Sequence, residues 1–305
     1  MSARLRHRTS PTPASRVTSR GKSGAAPAFE RVRQNLDDYL GKAVGARQRL
    51  IEQPYDPKQL HAWRVGLRRV TATLTSVTQL SEDGLDDVRT HLRACREATG
   101  HCRDIDILTQ ETLPAFLREC RVIPPPAATL QRVVAELQSQ ARAEAIASLK
   151  KTSLAIPVQS WRHWAAAVEP PSDGRIQECA SAAIDDRFNA VKKRVAKLDG
   201  GKKSLHRLRA AIKKLRYSME LYQQLFPKRA VSPWLDRLTD LQSHLGLAHD
   251  RMMGRELVAN LPLANSDKDP VKAFRRWSKI SAYDASRKAA QSLANLDKLS
   301  HYWRK

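Results

Sequence analysis

The stretch LHAWRVGLRRVTATLTSV at 60–77, with its counterpart LHRLRAAIKKLRYSMELY at 205–222, decides how this chain folds. At about 100° per residue, Leu60, Trp63, Leu67, Val70, Leu74 and Val77 share one side of a helix. His61, Arg64 and Arg68 lie opposite, in a stripe continued by Ala72 and Thr75. The second stretch divides the same way. Leu205, Leu208, Ile212, Leu215, Met219 and Tyr222 are its apolar side, and His206, Arg209, Lys213 and Tyr217 the other. His61 aligns with His206, Arg64 with Arg209, and Arg68-Arg69 with Lys213-Lys214. Each stretch predicts an amphipathic helix with a His-x-x-Arg-x-x-x-(Arg/Lys) edge backed by a packed core.

A second landmark follows each helix. Gly100-His-Cys-Arg-Asp104 matches Gly246-Leu-Ala-His-Asp250 in Gly-to-Asp spacing and lies almost the same distance downstream, which reads as internal duplication. Gly suits the left-handed position that ends a helix, and Asp suits the N-cap of the next. Capping is therefore the expectation for Asp104 and Asp250. Arg103 and His249, beside those caps, are candidates for a turn facing the same groove as the basic edges.

The remaining chain reads as all-α. Gly is scarce, at 12 residues, and Ala, Leu, Arg, Gln and Glu dominate with no strand alternation. Helices are expected near 57–80, 85–99, 104–119, 127–150, 175–198, 203–225, 232–245, 250–260 and 270–301, after a first one beginning at Phe29. The breaks carry Gly or Pro: Pro54 and Pro57, Gly100, Pro124–Pro126, Pro170–Pro171, Gly200–Gly201, Pro227 and Pro262. Trp161 and Trp164 belong to a short helix or a packed loop. The predicted architecture is a pair of antiparallel helical bundles, 28–165 and 172–305, related by a pseudo-twofold axis. A basic tail, 1–27, precedes them; its Arg- and Ser-rich, acid-free composition favours disorder over a transit peptide.

Charge indicates the partner. Lys and Arg number 54 against 31 acids, a formal +23, and the first 28 residues hold only six of the cations. The folded body is therefore itself strongly basic, and a polyanion relieves its self-repulsion. Nucleic acid, an anionic membrane surface and polyphosphate all qualify on charge. An ordinary surface helix mixes Glu with its Lys and Arg, whereas Glu220 is the only acid in either aligned stretch. Guanidinium groups on successive turns, about 5–6 Å apart, can hold successive phosphates. Arg216 extends the second edge. Arg47 and Arg194, on the helices preceding each motif, either pack their stems on the core or turn into the groove.

Several classes lack support. No apolar run approaches the roughly 20 residues of a membrane span. The four cysteines form no C-x-x-C pair, so reduced thiols in a cytoplasmic protein are expected, with no metal site and no cofactor. No Walker loop, Arg-His-Gly motif or Cys-x5-Arg loop occurs, and Asp104 and Asp106 sit too far round a helix to converge on a metal. Catalysis is not expected. Aromatic residues, at 6%, do not provide a base-stacking platform, which leaves non-specific nucleic-acid binding as the alternative.

His61-Ala-Trp-Arg64-Val-Gly-Leu-Arg68-Arg69 with Arg103-Asp104-Ile-Asp106, and their second copies, closely resemble the CHAD family, the conserved histidine α-helical domain, over roughly 28–303. The resemblance implies two related helical bundles, a basic surface or pore between them, and inorganic polyphosphate as ligand. His61 and His206 match the namesake histidines; Arg64, Arg68, Arg69, Arg209, Lys213 and Lys214 match the basic positions. It also implies association with polyphosphate granules, or for some relatives polyester storage granules. Departures are Gly66 in mid-helix and Thr71, Thr73 and Thr75 where further cations are usual, so the C-terminal half is expected to contribute more. The Glu-x-Glu-x-Lys signature of a triphosphate-tunnel metalloenzyme, a frequent companion, is missing.

Overall fold

A computed structural model of the protein describes residues 28–77, 85–120, 126–169, 171–262, 268–296 and 298–304. The predicted tail, 1–27, lies outside them. The described residues are helical, with no strand. In order the helices are α1 (Ala28–Glu52), α2 (Pro57–Val77), α3 (Asp86–Glu97), α4 (Gly100–Ile107), α5 (Leu113–Glu119), α6 (Pro126–Lys151), α7 (Ala155–Ala167), α8 (Asp173–Val195), α9 (Lys202–Tyr222), α10 (Lys228–Ala259) and α11 (Lys268–Ala294). A π-helical turn, Leu108–Thr112, joins α4 to α5, and a 3-10 turn, Tyr302–Arg304, follows α11.

Local chemistry sets these boundaries. Pro57 opens α2, where its missing N–H costs nothing. Ser172 Oγ caps α8 by accepting from the Arg175 amide at 3.3 Å. Between α8 and α9, Gly200 has φ +75, the left-handed turn expected at Gly200–Gly201, and Asp199 accepts from the Gly201 amide at 2.8 Å. Trp161 and Trp164 sit on a helix, α7. They stack at 5.4 Å, and the Trp161 indole donates to Asp37 at 2.8 Å.

The predicted apolar faces form the core. Leu60, Trp63, Leu67, Val70, Leu74 and Val77 are each 0% exposed, and Leu208, Ile212, Leu215 and Met219 match them on α9. Each such side chain contributes about 1.5–3 kcal/mol on burial. The main apolar cluster runs continuously from Phe29 to Trp303, through both halves of the chain. A smaller cluster joins Leu108, Phe116 and Val134 to Val258 and Phe274, tying the α4–α6 region to α10 and α11. Gly66, costly for an isolated helix, marks a tight crossing. A Cβ there would stand 2.9 Å from Ala43 Cβ and 3.2 Å from the Tyr39 carbonyl of α1.

Two expectations are corrected. Helices predicted at 232–245 and 250–260 are a single α10, which passes through Gly246 and Asp250 and tolerates Pro233 near its start. In the first half α4 begins at Gly100 and contains Asp104. Neither glycine terminates a helix with a positive φ, and neither aspartate is an N-cap. Sequence spacing suited a stop-and-cap reading, but the apolar spacing on either side continues in helical phase, and tertiary packing keeps the helix running.

Candidate functional site

Helix α2 packs on α9 and α4 on α10, while α2 also touches α4 and α9 touches α10. This ring of four brings the two basic edges together. The imidazole of His61, an exposed residue at the mouth of this ring, is driven down to about 4, first by desolvation and then by the charges of Arg103, Arg68, Lys213 and Arg64. Members of both motif helices thus act on one ring, which is neutral at pH 7. His206 is also lowered, by burial and by neighbouring His249, Arg209 and Lys213; its ring lies 5.5 Å from that of His249.

Lys213 is the most buried cation of the two edges, at 8% exposure. Burial, then Arg68 and Arg209, push its ammonium down to about 6 against the opposing pull of Asp250. Burial likewise lowers Arg209, whose Nε is buried without a hydrogen-bond partner. Lys213, Arg68 and Arg209 form no salt bridge among the described residues. Arg64 is better held. It donates to the Arg96 carbonyl and to Thr99 Oγ1, the latter at 3.2 Å, and burial lowers it to about 10. It remains charged at any physiological pH.

Each motif arginine lies across the glycine of its own landmark. A Cβ on Gly100 would stand 3.8 Å from Arg64 Nη1, and one on Gly246 would stand 3.9 Å from Arg209 Nη2. One turn further along the same helix faces come Asp104 and Asp250. Asp104, raised by burial, is drawn back by His249 and Arg64 and raised again by Asp250. The two aspartates are therefore carboxylates of this site, as the capping reading did not anticipate. Recurrence of Gly and Asp at i, i+4 was the available signal. Arg96, beside Arg68, and His101, beside Asp104, are two more members that sequence reading missed.

The other candidates are placed unequally. Arg103 is close to His61 and lies 3.8 Å from Glu111. His249 joins the site, with Nδ1 3.2 Å from Asp250 Oδ1. Arg69 and Arg216 share Glu220, at 3.2 and 3.0 Å, and both lie over the Tyr217 ring. Arg47 donates from Nε to the Leu149 carbonyl at the end of α6, at 3.0 Å, and lines a cavity with Lys150, Lys151 and Arg162. Lys214 and Arg194 are near one another on α9 and α8. Asp106 serves the core: it is fully buried and accepts from the Tyr55 hydroxyl and from Gln138 Nε2. Among the described residues no group of His, Cys, Asp and Glu is arranged to hold a metal ion, and no helix is long and apolar enough to cross a membrane.

Comparison with known proteins identifies the family and the fold. The family model described as the CHAD domain matches residues 31–259. The structure is similar to that of the CHAD domain from the plant Ricinus communis, with a TM-score of 0.75 at 22% identity, covering 90% of this chain and 93% of that one. It is also similar to PptA from Streptomyces chartreusis, with a TM-score of 0.67 at 16% identity, covering 88% of this chain and 100% of that one. At these identities the likeness concerns the fold. No curated protein matches the chain.

Proposed function

The chain belongs to the CHAD domain family, and we propose that it binds inorganic polyphosphate, without turning it over, in the groove between α2 and α9. The observation that carries this reading is the crowding of buried Lys213 against half-buried Arg209 and Arg68, three basic groups that face one another with no carboxylate in salt-bridge range and hold the lysine's ammonium well below its usual range. Such an arrangement destabilises the empty protein and is relieved by an anion with closely spaced charges. Arg64, Arg68, Arg209 and Lys213 supply charge-assisted hydrogen bonds, His61 and His206 supply further donors, and counterion release drives association. The doubled motif supports treating the two halves as copies related by a pseudo-twofold axis, with 28–165 and 172–305 each contributing one edge. Association with polyphosphate granules in the cytoplasm follows from the same reading.

A competition titration at fixed ionic strength compares long-chain polyphosphate with single-stranded DNA, RNA and tripolyphosphate. The reading predicts preference for the long polyphosphate over nucleic acid at equal charge. Equal affinity per charge assigns the groove to polyanions at large, and release of orthophosphate overturns the non-catalytic assignment.

A further inference from the structure

The two copies of the motif differ in what surrounds the last cation of each edge. Arg69 is neutralised by Glu220 at 3.2 Å and lies over Tyr39 at 5.2 Å. Its counterpart Lys214 is exposed, and the charges acting on it come from Arg187 and Arg194 of α8 and from Arg89 and Arg93 of α3. Of these cations, Arg89 has a carboxylate, Asp86 at 2.7 Å, while its Nε is buried without a partner. Lys214, Arg93, Arg187 and Arg194 form no salt bridge among the described residues. Arg96 of α3 links this flank to the groove, since both Arg68 and Arg93 act on it. Cations therefore continue from Arg209 and Lys213 through Arg68 and Arg96 to Arg93, Lys214, Arg187 and Arg194, with one carboxylate on the way, the exposed Glu97, which holds Arg96 at 3.6 Å and leaves the four cations beyond it without a salt bridge.

We infer that the flank formed by Arg93, Lys214, Arg187 and Arg194 is a second station for the same linear phosphate chain, which leaves the groove over α3 and α8 and not past Arg69. This rests on the polyphosphate reading and adds a direction and a length requirement to it. A chain of a few phosphates fills only the groove between α2 and α9. A long chain reaches the flank as well and releases more counterions. Glu220 closes the opposite exit by occupying Arg69 and Arg216.

The test compares wild type with the triple variant Arg93→Ala/Arg187→Ala/Lys214→Ala. A control, Arg275→Ala/Arg276→Ala/Lys279→Ala, removes the same charge from exposed positions on α11. Tripolyphosphate and long-chain polyphosphate are titrated across a salt series. In the flank variant, long-chain affinity should fall about tenfold or more and its salt dependence should lose about one unit of slope per cation removed. Tripolyphosphate affinity should be unchanged, and the α11 control should behave like wild type. Unchanged long-chain binding, an equal loss for tripolyphosphate, or an equal loss in the control overturns the second station. If wild type binds neither polyphosphate, the functional reading fails instead.

Discussion

Arg209 crosses α10 at Gly246, its Nη2 3.9 Å from where a Cβ would stand, and Arg64 crosses α4 at Gly100 in the same relation. The glycines give the guanidinium groups a bare strip of helix to lie on, with Asp250 and Asp104 one turn away. At both half-exposed positions the arginine is the one group within 4 Å of a Cβ, so a branched side chain there meets it first.

Gly246→Leu is accordingly predicted to weaken polyphosphate binding roughly ten- to a hundredfold, the effect of losing one charge-assisted contact. Gly246→Ala, at ordinary contact distance, should bind as wild type and gain up to about 1 kcal/mol from helix propensity. Isothermal titration and thermal melts of both variants check this. Normal binding by the leucine variant would show that the arginine's position over the glycine is irrelevant.

On the proposed reading, Lys213 serves binding at a cost in stability. Lys213→Met retains the packed stem and removes the buried amino group with its cost of desolvation or deprotonation, so the melting temperature should rise by about 2–4 °C for a gain near 1 kcal/mol, while polyphosphate affinity drops. A lower melting temperature with intact affinity would reverse the assignment.

The pH dependence of the empty protein has a definite sign. Lys213 falls from its ordinary 10.5 to about 6 on folding, and His61 from 6.5 to about 4. The unfolded chain thus holds more protons between these limits, and both groups make stability rise with pH, His61 between about 4 and 6.5 and Lys213 between about 6 and 10.5. A bound polyanion raises both groups again, so binding near pH 7 takes up protons and tightens as pH falls from 8 to 6. Calorimetry in buffers of different ionisation enthalpy measures the uptake. Net proton release would contradict it.

Glu220 pairs with both Arg69 and Arg216, which on the proposed reading withholds them from the ligand. Glu220→Gln should free both cations and raise affinity for long-chain polyphosphate about three- to tenfold, with a steeper salt dependence. An affinity equal to or below that of wild type would mean that these two arginines cannot reach the ligand.

Helical class, core faces and the basic edges were all legible in the sequence, because a 3.6-residue period places Trp63, Leu67 and Val70 on one side and Arg64 and Arg68 on the other without reference to the rest of the chain. The partners of those cations were not legible. Whether Arg69 or Lys214 stays free depends on Glu220 reaching across from α9 to α2, a long-range contact that local pattern does not encode. Asp104 and Asp250 were misread for the same reason. Gly-x-x-x-Asp is compatible with a cap or with a continuous helix, and only packing against α2 and α9 decides. The bond of Arg47 to the open end of α6, a contact 102 residues away in sequence, was equally beyond local pattern.

The most direct test pairs two substitutions at the centre of the groove, Arg209→Glu with Lys213→Glu, and follows long-chain polyphosphate binding by titration alongside helix content by circular dichroism. Loss of binding with unchanged helicity is the predicted result. Wild-type affinity in that variant would contradict the claim that the α2 and α9 edges together hold the phosphate chain.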